Sequence, residues 1–187
     1  MIYMNRVKYV ISYFKLIKIK LLHPFSKILL SKKNSIGKKF NIIADKGSKV
    51  TIGEGLGIRN NVIISVRNNA CVDIGNNVFI NNNCQIVSHE RIVIGNNVKI
   101  GPNVMIFDHD YDYVNNGLKK KKYKCEPIII GDNTWIGAGC ILLRGTKIGN
   151  NCVVGAGTVL KGEFESNKII FQKSQLQIKE IEYLEEK

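Results

Sequence analysis

The stretch Ile94-Gly95-Asn96-Asn97-Val98-Lys99, continued by Ile100-Gly101-Pro102-Asn103-Val104-Met105 and Ile106, decides the fold, because a large aliphatic residue returns every six positions. Downstream the hexad resumes at Ile130-Gly131-Asp132-Asn133-Thr134-Trp135 and continues from Ile136, Leu142, Ile148 and Val154 to Leu160. Upstream it passes through Ile52, Ile58, Ile64, Ile74, Ile80 and Ile86, and more weakly through Ile36 and Ile42. A period shared by so many segments is the mark of a repeat architecture.

Each position of the hexad has a physical role. The first is a large aliphatic. The fifth is small or β-branched, as at Val62, Val78, Cys84, Val98, Val104, Thr134, Cys140, Thr146, Cys152 and Thr158, a pairing suited to alternate positions of strands around a filled interior. The third and fourth are repeatedly Asn, Asp or Gly, residues that accept positive φ and close tight turns. Three such hexads close one triangular coil, and coils stacked about 4.8 Å apart share parallel ladder hydrogen bonds. Coil starts at Ile36, Ile52, Ile74, Ile94, Ile130 and Ile148 predict an all-β chain, a parallel β-helix of about six coils.

Composition narrows the class. The 187 residues, 44% hydrophobic and 23% charged, suit one globular domain and exclude a disordered or membrane-embedded chain. The net charge of +13 is unevenly spread: ten of the 28 basic residues precede Asp45 and none of the 15 acidic ones does, so the remainder is nearly neutral. Within this leader Val7, Val10, Ile11, Phe14, Ile17 and Leu21 follow helical spacing beside Lys8, Lys15 and Lys18, which predicts a basic amphipathic helix over Met1 to Leu22 ended by His23-Pro24. Such a helix suits an anionic bilayer surface and equally suits capping the open end of a β-helix. His23 is read as structural. No apolar run is long enough to span a bilayer or form a signal-peptide core, and no recognition motif accompanies the lysines, so nucleic acid is not an expected partner. Five cysteines without a CxxC pair read as reduced thiols of a cytoplasmic protein, with Cys84, Cys140 and Cys152 filling core positions. The chain divides into a leader (1–35), a repeat body (36–165) and a tail (166–187) ending in a short polar helix from Gln175 to Lys187.

The repeat is interrupted once, between Ile106 and Ile130, giving an excursion loop over 107–129. A stacked coil gains nothing by expelling such a segment, which points to function. It contains Phe107-Asp108-His109-Asp110-Tyr111-Asp112-Tyr113 and then Lys119-Lys120-Lys121-Lys122. Carboxylates on both sides of His109 would raise its basicity and fix its tautomer, as a general base acting on an alcohol requires. His23, His89 and His109 are too far apart in repeat register to form a three-histidine metal site, so no metal is expected.

The hexads over Ile36 to Lys161, together with Asp108-His109-Asp110-Tyr111 and Pro127-Ile128-Ile129-Ile130-Gly131-Asp132-Asn133-Thr134-Trp135-Ile136-Gly137-Ala138, resemble the hexapeptide-repeat acyltransferases, and within them the bacterial surface-polysaccharide sugar O-acetyltransferases. The resemblance implies a left-handed β-helix, a homotrimer, acetyl-CoA as co-substrate, and a glycan or lipid-linked sugar as acceptor. It implies direct transfer with His109 as base, Asp108 and Asp110 beside it, and an oxyanion donor at Asn81, with Asn83 second. On the acceptor side it points to His89 and Tyr111, with Trp135 as an aromatic wall. For the cofactor it points to Trp135, Gly137, Ala138 and Ala156, with Lys161 and Lys173 for the 3′-phosphate. The chain departs from the family after Gly157, where Thr158-Val159-Leu160-Lys161-Gly162-Glu163 and the later Ile169-Ile170-Phe171-Gln172-Lys173 lack the expected closing Gly and Pro. Two rival readings stay open: acetylation of a small molecule such as an antibiotic, an amino-sugar nucleotide or serine, and a non-catalytic scaffold.

Overall fold

The computed structural model describes residues 2–31, 33–114 and 117–173. Its strands collect into three parallel sheets that form the faces of a triangular prism. The first face stacks Lys27–Leu30, Lys49–Ile52, Cys71–Ile74, Arg91–Ile94, Ile128–Ile130, Lys147–Ile148 and Glu163–Phe164. The second stacks Ser35–Ile36, Gly57–Ile58, Phe79–Ile80, Lys99–Ile100, Trp135–Ile136, Val153–Val154 and Ile169–Ile170. The third stacks Asn41–Ala44, Ile63–Val66, Gln85–Ser88, Met105–Phe107, Ile141–Leu142 and Val159–Leu160. The chain visits the faces in this order, making six complete coils and part of a seventh of a left-handed parallel β-helix.

The hexad explains the prism residue by residue. First-position aliphatics stand in register from coil to coil, as in Ile74, Ile94, Ile130 and Ile148, and all are buried. Fifth-position residues from Val62 to Thr158 fill the space between them, also buried. Truncating one first-position residue, such as Ile100→Ala, would cost about 3 kcal/mol. At the edge between the first and second faces the third-position side chains of Asn76, Asn96, Asp132 and Asn150 each accept the backbone N–H of the equivalent residue one coil earlier, at 2.7–2.9 Å. The fourth-position residues Asn77, Asn97, Asn133 and Asn151 take φ of 55–56° and link their side-chain amides into a second ladder.

Two boundaries differ from expectation. The first coil begins not at Ile36 but at Lys27–Leu30, whose Leu30 stands in register with Ile52; Ile36 lies on the second face. The leader therefore supplies a strand, and Asn34, buried at the fifth position of this hexad, accepts the Leu56 N–H of the next coil at 2.9 Å. The interruption, expected as a loop, is a two-stranded antiparallel hairpin, His109–Val114 against Gly117–Cys125. It leaves the edge between the third and first faces, where the chain also carries its other extra residues. The coil-to-coil spacing runs 22, 22, 20, 36, 18 and 16 residues along the prism.

The helix Ile2–Leu22 closes the prism's base. Its buried residues are Ser12, Leu16 and Ile19, and the Ser12 hydroxyl accepts the Ile36 N–H at 2.9 Å. Lys15 Nζ donates to the carbonyls of Ile36 and Gly37. These satisfy edge groups that have no lower coil to pair with. The apolar stripe expected from spacing is not the docked face: Val10, Ile11, Phe14 and Leu21 are exposed. An end one coil wide needs only an i, i+4, i+7 contact, and it needs an acceptor, which the stripe lacks and Ser12 supplies. His23 is structural, its Nδ1 lying 3.1 Å from the Ala44 carbonyl oxygen. The tail helix expected from Gln175 to Lys187 lies outside the described residues.

Candidate active site

The carboxylate of Asp108 organises the hairpin edge. Fully buried, it accepts the Ser88 hydroxyl at 2.7 Å, the His89 N–H at 2.7 Å and the Glu90 N–H at 3.0 Å. His109 Nδ1 lies 3.3 Å from Oδ1, the oxygen that also accepts the His89 N–H. Burial alone would push this carboxyl up, but the bonds from His109, His89, Ser88 and Glu90 outweigh it and hold it below its ordinary value. An ionised carboxylate only accepts, so an imidazole facing it donates from Nδ1, the geometry that turns Nε2 outward as the acceptor in the neutral tautomer. A base oriented by a buried carboxylate is the arrangement proton abstraction requires.

Around this pair the rings pack closely. The repeat register is expected to hold the histidines apart, but the third–first edge brings two together: His89, one coil earlier, stacks on His109 with ring centroids 3.8 Å apart and planes 20° from parallel, while His23 faces Ala44. Burial, then the neighbouring His109, pushes the His89 imidazole down and favours its neutral form. Tyr123 meets His89 at 4.3 Å and His109 at 5.4 Å, both edge-on, and Tyr111 packs against Tyr123 at 5.1 Å. Of the expected residues, the hairpin edge thus gathers His109, Asp108, His89 and Tyr111. Asp110 does not serve His109: its carboxylate accepts Arg144 Nε at 2.6 Å, and Arg144 also pairs with Glu126, pinning the hairpin to the next coil. Asp112 lies 3.6 Å from Lys124 Nζ. The thiols of Cys71 and Cys125, near Asp108, are pushed up by burial and disfavour the nucleophilic thiolate.

Sequence reasoning missed Ser88, Tyr123, Arg144 and Glu126. Tyr111 and Tyr123 occupy opposed positions of the hairpin, and period-two alternation around the loop was the available signal.

The other expected residues lie elsewhere. Asn81, Gly137, Ala138 and Ala156 stack along the edge between the second and third faces, one face away from His109, so a single chain does not bring Asn81 and His109 together. Asn81 Oδ1 accepts the Asn82 N–H at 2.8 Å, which directs its amide NH2 elsewhere as a donor. Asn83 has φ 59° and accepts Asn61 Nδ2, so it is a turn residue of a side-chain ladder. Trp135 projects from the second face, 55% exposed between Lys99 and Val153, apart from the His109 of its own chain, beside which Tyr123 and His89 pack. Lys161 is exposed on the hairpin edge two coils above His109, and Lys173 is exposed beyond Ile169–Ile170 of the second face.

The second–third edge has its own character. Where the Asn ladder caps backbone amides elsewhere, this edge reads Gly137-Ala138-Gly139 and Gly155-Ala156-Gly157. Among the described residues no acceptor reaches the Ala138 or Ala156 N–H. Gly139 and Gly157, with φ 68° and 71°, have nothing within 4 Å of a notional Cβ. The result is a smooth strip of free amide donors, suited to an extended amide-bearing chain such as pantetheine. Among the described residues, no group of three or more His, Cys, Asp or Glu is placed to hold a metal ion.

The profile described as "Bacterial transferase hexapeptide (six repeats)" matches residues 127–162, where the hexads run without interruption. Over these residues the chain carries the repeat of the hexapeptide transferases. The chain is 39% identical over 46 residues to a galactoside O-acetyltransferase from Lactococcus lactis, a match covering 25% of this chain and 22% of that protein. The chain thus matches about a fifth of that curated relative's length. Among solved structures it resembles a maltose O-acetyltransferase from Clostridium difficile, at 27% identity and TM-score 0.52 over 88% of this chain and 74% of that one. It also shares its fold with an N-acyltransferase from Bacillus cereus solved with dTDP-4-amino-4,6-dideoxyglucose and coenzyme A, at 21% identity and TM-score 0.67 over 89% of each chain.

Proposed function

We propose that this protein is an acetyl-CoA-dependent O-acetyltransferase that acts on a sugar hydroxyl of a surface polysaccharide or its lipid-linked precursor. The observation that carries this reading is the Asp108–His109 pair, an imidazole held through Nδ1 by a buried carboxylate. His109 takes the hydroxyl proton as the sugar oxygen attacks the thioester carbonyl, the C–S bond breaks, and the proton passes to the departing thiolate. Acetyl-CoA supplies the activated acyl group, with the Ala138 and Ala156 amides and the Gly139 and Gly157 openings receiving its pantetheine arm. Lys173 is the better placed of the two lysines for the 3′-phosphate, since Lys161 lies on the hairpin edge. Galactoside and maltose acetylation by the relatives above support a carbohydrate acceptor. Five unpaired cysteines support a cytoplasmic setting.

Separation of Asn81 from His109 makes assembly part of this proposal. Three copies around an axis would set the hairpin edge of one beside the small-residue edge of the next, so that Asn81 meets the oxyanion formed at the neighbour's His109. The third face, which joins these edges, supports it with an outward apolar column of Met105, Ile141 and Val159, below which Gln85 and then Ile63 continue the row.

Thiol release from acetyl-CoA with glycan acceptors tests the reading. His109→Ala should lower turnover by about 10³-fold, within the usual range for a lost general base, and unchanged turnover would sink the mechanism. Mixing inactive His109→Ala with inactive Asn81→Ala protein should restore partial activity if the site is shared, and none if each chain works alone.

A further inference from the structure

The N-terminal helix has two apolar faces, and the prism uses only one. Ser12, Leu16 and Ile19 point into the base. The opposite side presents Val10, Phe14 and Leu21, at 53%, 65% and 74% exposure, with half-buried Ile17 in the same stripe. Their i, i+4, i+7, i+11 spacing makes one continuous strip along the helix. Tyr9 and Tyr13 border it, both exposed, and Tyr9, Val10, Tyr13 and Phe14 line a shallow apolar depression with Lys33 at its rim.

Charge identifies the occupant. Lys18 and Lys20 are exposed on either side of the strip, and no Asp or Glu occurs before Asp45. A strip of aliphatic and aromatic residues flanked by lysines alone matches the surface of an anionic bilayer: the apolar groups enter the acyl boundary, the tyrosines sit at headgroup level, and the lysines meet lipid phosphates. No helix among the described residues is long and apolar enough to cross a membrane, so the contact is interfacial. We infer that the outward face of this helix docks the prism, base down, on an anionic lipid surface. The inference does not depend on the acyl-transfer reading, because docking is measured without turnover.

The test is co-sedimentation of the full-length protein with phosphatidylcholine vesicles, with and without phosphatidylglycerol. Retention is expected only on the phosphatidylglycerol vesicles and should fall with added salt. Phe14→Asp should lower partitioning by about tenfold or more, and Lys18→Gln and Lys20→Gln by about fivefold each. Leu21→Asp, at a second outward position, should repeat the Phe14→Asp loss, with circular dichroism and thermal melting of both variants unchanged. No retention on phosphatidylglycerol vesicles would overturn the inference, and so would retention indifferent to both aspartates. If either aspartate reduces the protein's size by light scattering without altering retention, the face belongs to a second copy and the bilayer assignment falls.

Discussion

Two edges of the same prism have become opposites. Along the first–second edge every coil repeats the same short turn, and side chains of Asn76, Asn96, Asp132 and Asn150 close each backbone N–H below them. Along the third–first edge the turn length changes from coil to coil, and the longest insertion carries His109 on a hairpin. Regular coils hold the faces in register, so one edge can vary without disturbing the core. The second–third edge is intermediate: its turns stay short, but its upper coils have exchanged Asn for Ala and Gly, leaving amides unclaimed. The proposed site uses the two edges where the ladder has been lengthened or stripped.

The largest test of this contrast is Asp108→Asn. An amide there would leave Nδ1 of His109 without its carboxylate and turn an NH2 toward backbone donors. Turnover should fall by about 10³-fold and stability by about 3 kcal/mol, read by steady-state kinetics and urea unfolding. The same group sets the acid limit of stability. Both His89 and Asp108 are depressed in the folded protein, so in each window the unfolded chain binds more protons. Stability should therefore decline as pH falls below the ordinary histidine value toward that of folded His89. It should decline again below the ordinary carboxylate range as Asp108 is protonated, and Asp108→Asn should remove this lower limb in pH-dependent melts.

A smaller effect comes from restoring the ladder on the stripped edge. By analogy with Asn150, Ala156→Asn should accept the free Ala138 N–H, raising stability by about 1 kcal/mol. If that amide receives the acyl donor, KM for acetyl-CoA should rise about tenfold with kcat nearly unchanged; an unchanged KM would remove this strip from the cofactor site. Smallest is Asn97, at φ 56° on the regular edge. Asn97→Ala should cost about 1 kcal/mol and Asn97→Gly less, with no effect on turnover in either case.

Much of this was legible in the hexad. Alternation of a large first and a small fifth residue specifies a triangular interior, and Asn at the fourth position specifies the left-handed turn residue, so faces and most turns could be read directly. The first coil was hidden because Lys27-Ile28-Leu29-Leu30 lacks the Gly-Asn turn that marks the others. The helix stripe was found but assigned one face for two duties, since spacing shows that residues align, not which side meets the core. His109 stood out because it breaks the period, whereas the partner of Asp110 did not: Arg144 lies in the next coil, beyond any local pattern. The distance between Asn81 and His109 was countable, because Ile80 opens the second hexad of its coil and Ile106 the third of its own.

The helix at the base also makes the prism a ruler. His109 follows the third face of coil four, three steps of about 4.8 Å above the first coil. With roughly 10 Å for the helix itself, its imidazole would stand about 25 Å above any plane on which the helix rests. A freely diffusing sugar would not sense this height. An acceptor tethered in that plane would meet the base only where its chain had already extended about as far, so coil number rather than side-chain contact would select the unit that is modified.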